Sequence, residues 1–224
     1  MGLSSADAGH GKGFLARILC AGVLMLALSG CGDGQSWNST SLKGAFPDLH
    51  FNMTRADDGK DVTEADYRGK VVLLYFGYTF CPDVCPTTLA HISNILDGMG
   101  KSADDVRVLF VTVDPNRDKL PVLKEYADAF APQVDALRGT PNELAALAKR
   151  YRVAYTVHPS KDPAKYEVSH GSAVYVFDGK GRVRLLFSSL SRPQPDMEGM
   201  TADLKKLTRE EGGGGWLSRI AAWL

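Results

Sequence analysis

The sequence has little net charge, few cysteines and no block of basic residues. Its 224 residues carry 26 Lys and Arg against 26 Asp and Glu, and Lys and Arg occur at most two in a row. A protein that binds nucleic acid through the phosphates needs a concentrated basic surface, so the composition argues against a nucleic-acid partner. Four cysteines are too few for a disulfide-rich scaffold. The rest of the composition is that of an ordinary globular chain with one domain and appendages.

The chain also lacks an uncharged apolar stretch of the ~20 residues that a membrane-spanning helix needs. The N-terminal stretch Ile18 to Leu28 is shorter, follows Lys12 and Arg17, and leads into Cys31. Leu28-Ser29-Gly30-Cys31 resembles a bacterial lipobox, which implies a lipoprotein signal peptide over residues 1–30, cleavage before Cys31 and lipidation of that cysteine. The alternative is a general secretory signal in which Cys31 has no special role.

The remaining chain divides into a tether, a domain and a tail. Residues 31–43 are polar and rich in Gly and Ser, which predicts a flexible tether. We expect the domain over residues 44–211. Four consecutive glycines from Gly212 then lead into a Trp-containing segment that would be amphipathic as a helix. This tail, residues 212–224, is predicted to lie on a membrane surface, to fold back onto the domain or to be disordered.

The domain is organised around the apolar run Val71 to Gly77, which is followed by Cys81, Cys85 and Pro86. A continuous β-branched and aromatic run predicts a strand that is buried on both faces. Proline suits the first turn of a helix and disfavours helical backbone in the residue before it, so we expect a helix that begins at Pro86. The cysteines then lie between a central strand and a helix N-terminus, where the helix dipole favours thiolate. The alternative is a structural disulfide that closes a tight loop.

Strand and helix patterns alternate along the rest of the domain. We predict a hairpin around residues 48–62, a strand at 106–113, helices at 119–130, 141–151 and 194–209, and a second hairpin at 173–177 and 182–187. This order predicts an α/β fold in which helices flank a central mixed β-sheet, with an N-terminal β-hairpin extension.

Two thiolates in one loop suit Cu(I), and a neutral imidazole would be a suitable third ligand. Of the five histidines, His170 is of interest because it directly precedes a predicted strand. From its position alone, His170 is more readily explained as a solvated loop residue than as a ligand. Asp83, between the cysteines, could hydrogen-bond a ligand or form a turn. Arg117 could orient a carboxylate or dock a partner, although helix capping by Asp118 explains much of its segment.

The stretch Phe76-Gly77-Tyr78-Thr79-Phe80-Cys81-Pro82-Asp83-Val84-Cys85-Pro86 resembles the Sco (SenC) family, thioredoxin-fold copper-handling proteins of cytochrome c oxidase assembly. Asp114-Pro115-Asn116-Arg117-Asp118 and the histidine at position 170 extend the resemblance, which covers residues 44 to 209. It implies a thioredoxin-like fold and copper, Cu(I) or Cu(II), bound by Cys81, Cys85 and His170. Asp83, Asp114 and Arg117 would then surround the ligands.

The resemblance further implies a metallochaperone, not strictly an enzyme, that delivers copper to the CuA site of cytochrome c oxidase subunit II. A periplasmic copper donor or thiol reductant would be a second partner, and the lipid anchor would hold the protein on the periplasmic side of a bacterial membrane. One alternative is a thiol–disulfide oxidoreductase that reduces the CuA-site cysteines, with Cys81 attacking first. Another is a copper or redox sensor. Peroxiredoxin-like chemistry fits less well, because it calls for a single activated cysteine in a different context.

Overall fold

The apolar run from Val71 is the central strand of a large sheet. The structure is a computed structural model that describes Gly2, residues 36–162 and residues 165–221, with side chains as far as residue 211. The expected signal peptide apart from Gly2, and residues 31–35 of the expected tether, which include Cys31, lie outside these residues. The described part of the chain contains ten strands: β1 (Thr40–Ser41), β2 (Asn52–Arg55), β3 (Asp61–Thr63), β4 (Val71–Gly77), β5 (Val106–Thr112), β6 (Val134–Arg138), β7 (Tyr155–His158), β8 (Glu167–His170), β9 (Val174–Phe177) and β10 (Val183–Phe187).

Eight of these described strands form one mixed sheet in the order β1-β10-β9-β4-β5-β6-β2-β3. β4 pairs in parallel with β5 and antiparallel with β9, and β5 pairs in parallel with β6. All seven residues of β4 are buried, as a strand with neighbours on both sides and packed faces requires. The predicted mixed sheet is thus confirmed, and the antiparallel pair β2–β3 confirms the N-terminal hairpin.

Three strand regions were not predicted from the sequence: β1, β6 and the pair β7–β8. β7 and β8 form a separate antiparallel hairpin, in which Tyr155 is opposite His170. The interpretation of His170 as a loop residue was therefore wrong, because His170 is the last residue of β8. β7 and β8 escaped prediction because most of their side chains are exposed and polar, so they lack the apolar alternation that marks a half-buried strand.

Four α-helices accompany the strands in the described residues: α1 (Val84–Met99), α2 (Leu120–Asp128), α3 (Pro141–Arg150) and α4 (Met197–Ala221). Short 3₁₀ helices occupy Glu64–Tyr67 and Gly100–Asp105. α3 begins with a capping box in which Thr140 and Glu143 satisfy each other's backbone N–H groups, as its Thr-Pro start predicts. The backbone of α4 continues through the four glycines, beyond the end that was predicted near residue 209.

The start of α1 corrects the prediction in a way that matters for the cysteines. The helix begins at Val84, with Asp83 at the N-cap, rather than at Pro86. Pro86 is tolerated in the third helical position because the first four N–H groups of a helix have no partner within the helix. Cys85 is therefore part of the first turn of α1 and not of the preceding loop.

Within residues 36–162 and 165–221, no helix combines sufficient length with sufficient apolar character to span a membrane.

Candidate metal centre

The two cysteines lie at the carboxyl end of the central strand. β4 ends at Gly77, a short loop carries Cys81, and α1 then places Cys85 in its first turn. Cys85 is fully buried and Cys81 is partly exposed, and both are free thiols. Because β5 runs parallel to β4, the loop after β5 emerges at the same end of the sheet. Ligands bind at this end in open α/β sheets, and both cysteines lie there.

His170, at the end of β8, completes the cluster. Its Nε2 lies 3.1 Å from Sγ of Cys85. The ligand atoms of Cys81, Cys85 and His170 all lie within 4.8 Å of one another, and among the residues that the structure describes this is the one group of His, Cys, Asp or Glu able to hold a metal ion. Two residues close in sequence and one far away thus converge on a volume that suits a single ion.

The tautomer of His170 is defined by its surroundings. Nδ1 lies 3.0 Å from the carbonyl oxygen of Gly171, which can only accept, so Nδ1 carries the proton. Nε2 then presents its lone pair towards the cysteines. A backbone carbonyl that fixes the tautomer in this way is a common feature of metal-binding histidines.

The pKa values of the two thiols are shifted in opposite directions. The Cys85 side chain and the backbone N–H groups of Cys85 and Asp83 stabilise negative charge on Sγ of Cys81 and hold the pKa of Cys81 well below its usual range. The N–H of Cys85 lies 3.4 Å from that sulfur. The pKa of Cys85 is raised, because the Cys81 thiolate is adjacent and burial disfavours a second charge. In the metal-free site Cys81 is the thiolate and Cys85 keeps its proton.

Aromatic rings form the walls of the site. The ring of Tyr78 meets the imidazole of His170 edge-on, with 5.7 Å between ring centroids. The ring centroid of Tyr75 lies 6.3 Å from that of His170. Tyr75 and Tyr78 are both buried. Phe80, the neighbour of Cys81 in sequence, is 56% exposed. The site is therefore closed around Cys85 and accessible from the side of Cys81.

The three residues that were expected around the ligands, Asp83, Asp114 and Arg117, lie in different environments from one another. Asp83 is an exposed N-cap residue whose carboxylate lies 3.3 Å from the hydroxyl of Thr87, and it faces Cys81 through its backbone N–H. Asp114 is buried and forms an ion pair with Arg117. The guanidinium of Arg117 stacks 3.7 Å from the ring centroid of Tyr166 and 4.8 Å from that of Phe80.

The other described histidines do not join the cluster. His50 is paired with Glu64, His91 lies 2.8 Å from the carbonyl oxygen of Leu190, and His158 lies 2.7 Å from the hydroxyl of Ser169. His10 is outside the described residues.

Two further residues hold this region together. The sequence suggested Asp118 only as a helix cap, which was wrong because Lys119 is the N-cap of α2, and it did not single out Tyr166. Asp118, which is fully buried, accepts hydrogen bonds from the backbone and hydroxyl of Thr79, two residues before Cys81. Tyr166, four residues before His170, donates its hydroxyl proton to Asp114. The spacing of Tyr166 from His170 is compatible with one side of an extended strand, which was a usable signal once that strand had been recognised.

The fold and the Cys-Cys-His cluster define a thioredoxin-like protein with a site for a soft metal ion. The SCO1/SenC family profile matches residues 42–209, and the chain belongs to that family, which takes part in copper handling and cytochrome c oxidase assembly.

Individual relatives agree with this assignment. A SCO2-like protein of Rickettsia prowazekii is 37% identical over 128 residues, which cover 56% of this chain and 62% of that protein. The mitochondrial SCO1 homolog 1 of Arabidopsis thaliana is 39% identical over 127 residues, 56% of this chain and 37% of that protein. The chain thus spans between about a third and two thirds of these two relatives. The structure of Bradyrhizobium japonicum ScoI with copper bound is 40% identical, with a TM-score of 0.64, and the match covers 71% of this chain and 98% of that one.

The donor set fits copper on its own chemistry as well. Two cysteine sulfurs and an imidazole nitrogen are the ligands that Cu(I) prefers, and three donors leave the ion open to a further ligand. Cys81, Cys85 and His170 are the residues that would hold it.

Proposed function

We propose that this protein is a metallochaperone that binds one copper ion through Cys81, Cys85 and His170 and delivers it to the CuA site of cytochrome c oxidase subunit II. The observation that carries the proposal is the convergence of these three ligand atoms within 4.8 Å at an accessible end of the sheet. Copper bound to the related ScoI supports the choice of metal. Membership of the SCO1/SenC family supports the choice of client.

The accessibility of the ligands supports transfer by ligand exchange. Cys85 is buried, whereas Cys81 is partly exposed. A thiolate of the acceptor would approach the copper from the side of Cys81 and replace that ligand first, while Cys85 and His170 retain the ion. Release of the two remaining ligands then completes the transfer without a free ion in solution.

The test is a copper titration of the reduced protein. We expect one tightly bound Cu(I) in the wild type and loss of tight binding in Cys81→Ser, Cys85→Ser and His170→Ala. His158→Ala is the matched control, because His158 is an exposed histidine in the strand next to β8. Retention of wild-type affinity by any of the three ligand variants would contradict the proposed site.

Delivery needs a separate measurement. The Cu(I)-loaded protein is mixed with the metal-free, reduced CuA domain of subunit II, the two proteins are separated, and the copper content of the domain is measured. Copper on the domain supports delivery. A protein that binds copper tightly but leaves the domain empty would contradict delivery while leaving the binding site intact.

A second candidate function is reduction of the CuA-site cysteines by thiol–disulfide exchange. The observation that favours it is the asymmetry of the thiols, since Cys81 is both the more exposed and the one whose pKa is lowered. Such a cysteine attacks a disulfide, and the buried partner then resolves the mixed disulfide. His170→Ala separates the two functions, because it removes a copper ligand and leaves both thiols. Rapid exchange without tight copper binding in the wild type would favour the reductase.

We also propose a lipid anchor at Cys31 and a location on the periplasmic side of the bacterial envelope. The lipobox-like sequence before Cys31 supports it. Mass spectrometry of the protein extracted from membranes should show an N-terminal diacylglyceryl cysteine, and Cys31→Ser should release the protein from the membrane fraction if the leader is still cleaved. An unmodified N-terminus would contradict the anchor.

A further inference from the structure

The strand that carries His170 is not part of the main sheet. β7 and β8 pair only with each other in the described residues, and most of their side chains are exposed. The cysteines, by contrast, are attached to β4 and α1 in the centre of the fold. Some other contact must therefore hold the hairpin at the distance that brings Nε2 of His170 to 3.1 Å from Cys85.

Tyr166 makes such a contact directly before β8, in addition to the buried Val168 within it. Its hydroxyl donates a hydrogen bond to the carboxylate of Asp114, and its ring lies 3.7 Å from the guanidinium carbon of Arg117. Arg117 also donates from Nη1 to the carbonyl oxygen of Tyr166, at 2.9 Å. Three different interactions thus join Tyr166 to the loop that follows β5. Asp114, whose carboxylate accepts the hydrogen bond, is only 2% exposed.

The same loop also holds the cysteine side of the site. Asp118 accepts from the N–H and the hydroxyl of Thr79, at 3.0 and 2.6 Å. Phe80, next to Cys81, rests on the outer face of Arg117. The loop from Asp114 to Asp118 is therefore a common support, with one contact set directed to the cysteines and another to the histidine hairpin.

We propose that Tyr166 is a positioning residue that fixes His170 relative to the two thiols by docking the β7–β8 hairpin onto Asp114 and Arg117. Tyr166 does not itself bind the metal. The proposal rests on the proposed role of Cys81, Cys85 and His170 as metal ligands, and it adds a residue that makes the third ligand available at the right place.

The experiment compares two substitutions of Tyr166 with matched substitutions elsewhere. Tyr166→Phe removes the hydroxyl and keeps the ring, and Tyr166→Ala removes both. Tyr151→Phe is the control for the hydroxyl, because Tyr151 donates to the carbonyl oxygen of Asp48, at 2.9 Å. Phe46→Ala is the control for the ring, because Phe46 is a half-buried aromatic residue stacked under Arg152 at 5.0 Å.

The first measurement is the affinity of the reduced full-length protein for Cu(I), set by competition with a chelator. Loss of a residue that orients a metal ligand typically weakens affinity about 10- to 100-fold, and we expect a loss in this range for Tyr166→Ala. Tyr166→Phe should lose less, and both controls should retain wild-type affinity at a comparable loss of stability in urea. Wild-type affinity in Tyr166→Ala, or an equal loss in Phe46→Ala, would overturn the proposal.

The second measurement needs no metal and separates this proposal from the proposed function. NMR of the metal-free, reduced protein reports the ring resonances of His170 and their contact with Cys85. In Tyr166→Ala these resonances should shift and broaden, whereas the backbone resonances of Cys81 and Cys85 should change little. If the wild type binds no copper, the proposed function fails, and this spectrum still decides the positioning role. An unchanged His170 ring in Tyr166→Ala would overturn that role.

Discussion

The backbone of Gly77 lies directly beneath the sulfur of Cys85. A Cβ atom at position 77 would stand 2.9 Å from Sγ of Cys85 and 2.5 Å from the ring of Phe110, which is closer than van der Waals contact allows. The last residue of the central strand therefore has no room for a side chain, because Sγ of Cys85 and the ring of Phe110 occupy that space. The residue that ends β4 thus shapes the floor of the candidate metal centre.

This relationship predicts that Gly77→Ala disturbs both stability and metal binding. Overpacking a filled core costs about 1–3 kcal/mol, and the displaced Cys85 should bind copper more weakly. Urea unfolding and a Cu(I) competition assay measure the two effects. Gly171→Ala is the control, because position 171 is next to His170 but has open space around its missing Cβ. Equal behaviour of the two variants would contradict the packing argument.

Asp118 should be required for the stability of the cysteine loop. It is fully buried and accepts hydrogen bonds from the N–H and hydroxyl of Thr79 and from the hydroxyl of Thr112. Asp118→Asn replaces one acceptor oxygen by an NH₂ group that faces donors, so we expect a loss of about 1–3 kcal/mol in the free energy of unfolding. Asp83→Asn, at an exposed carboxylate with one weak contact, should lose far less. Similar losses in both variants would argue against this role.

Copper binding should release about one proton per ion at pH 7. The pKa of Cys81 is lowered and that of Cys85 is raised, so the metal-free site enters the reaction as one thiolate and one thiol. Both must be thiolates to bind the ion. Affinity should consequently rise about tenfold per pH unit around neutrality, because a higher pH removes the competing proton.

Calorimetric titrations in buffers of different ionisation enthalpy measure the released proton. His158→Ala is the control, since His158 lies outside the cluster and its removal should leave both the affinity and the released proton unchanged. A wild-type protein that releases no proton would contradict the assignment of the thiol to Cys85.

Asp178 should stabilise the fold above its own titration range and not below it. Burial raises its pKa, but the hydrogen bonds and charge of Arg182 and the N–H of Lys180 outweigh burial and leave the pKa below the usual value. A carboxyl group with a lowered folded-state pKa contributes stability above about pH 4, and this contribution is lost as the pH falls through the folded-state pKa.

The check is the unfolding free energy of wild type and Asp178→Asn as a function of pH. Asp178 also contacts Arg184, so the variant should be less stable at pH 7 by about 1–3 kcal/mol. The difference should shrink towards pH 2, where the wild-type carboxyl group is protonated. A difference that is constant over the whole range would show that charge is not its cause.

The sequence determined the centre of the fold and one half of the site. The run from Val71 to Gly77 is long, apolar and β-branched enough to specify a buried strand, and a proline soon after it marks a helix. Two cysteines between these elements had to lie at the carboxyl end of the sheet. The capping box of α3 and the hairpin at Asp58-Gly59 were equally local, because short-range hydrogen bonds and turn geometry decide them.

The tertiary structure decided the other half. His170 reaches Cys85 only because Tyr166 docks an exposed hairpin, which has no clear apolar pattern, onto the loop after β5. In that contact Arg117 donates a hydrogen bond to the carbonyl oxygen of Tyr166, 49 residues away in sequence. The start of α1 at Val84 also depended on context, since the proline rule is a preference that the surrounding fold can override at a helix N-terminus. Local patterns specify elements that bury their own apolar faces. The distance between two ligands on different elements depends on contacts distributed over the whole chain, and only the folded structure contains them.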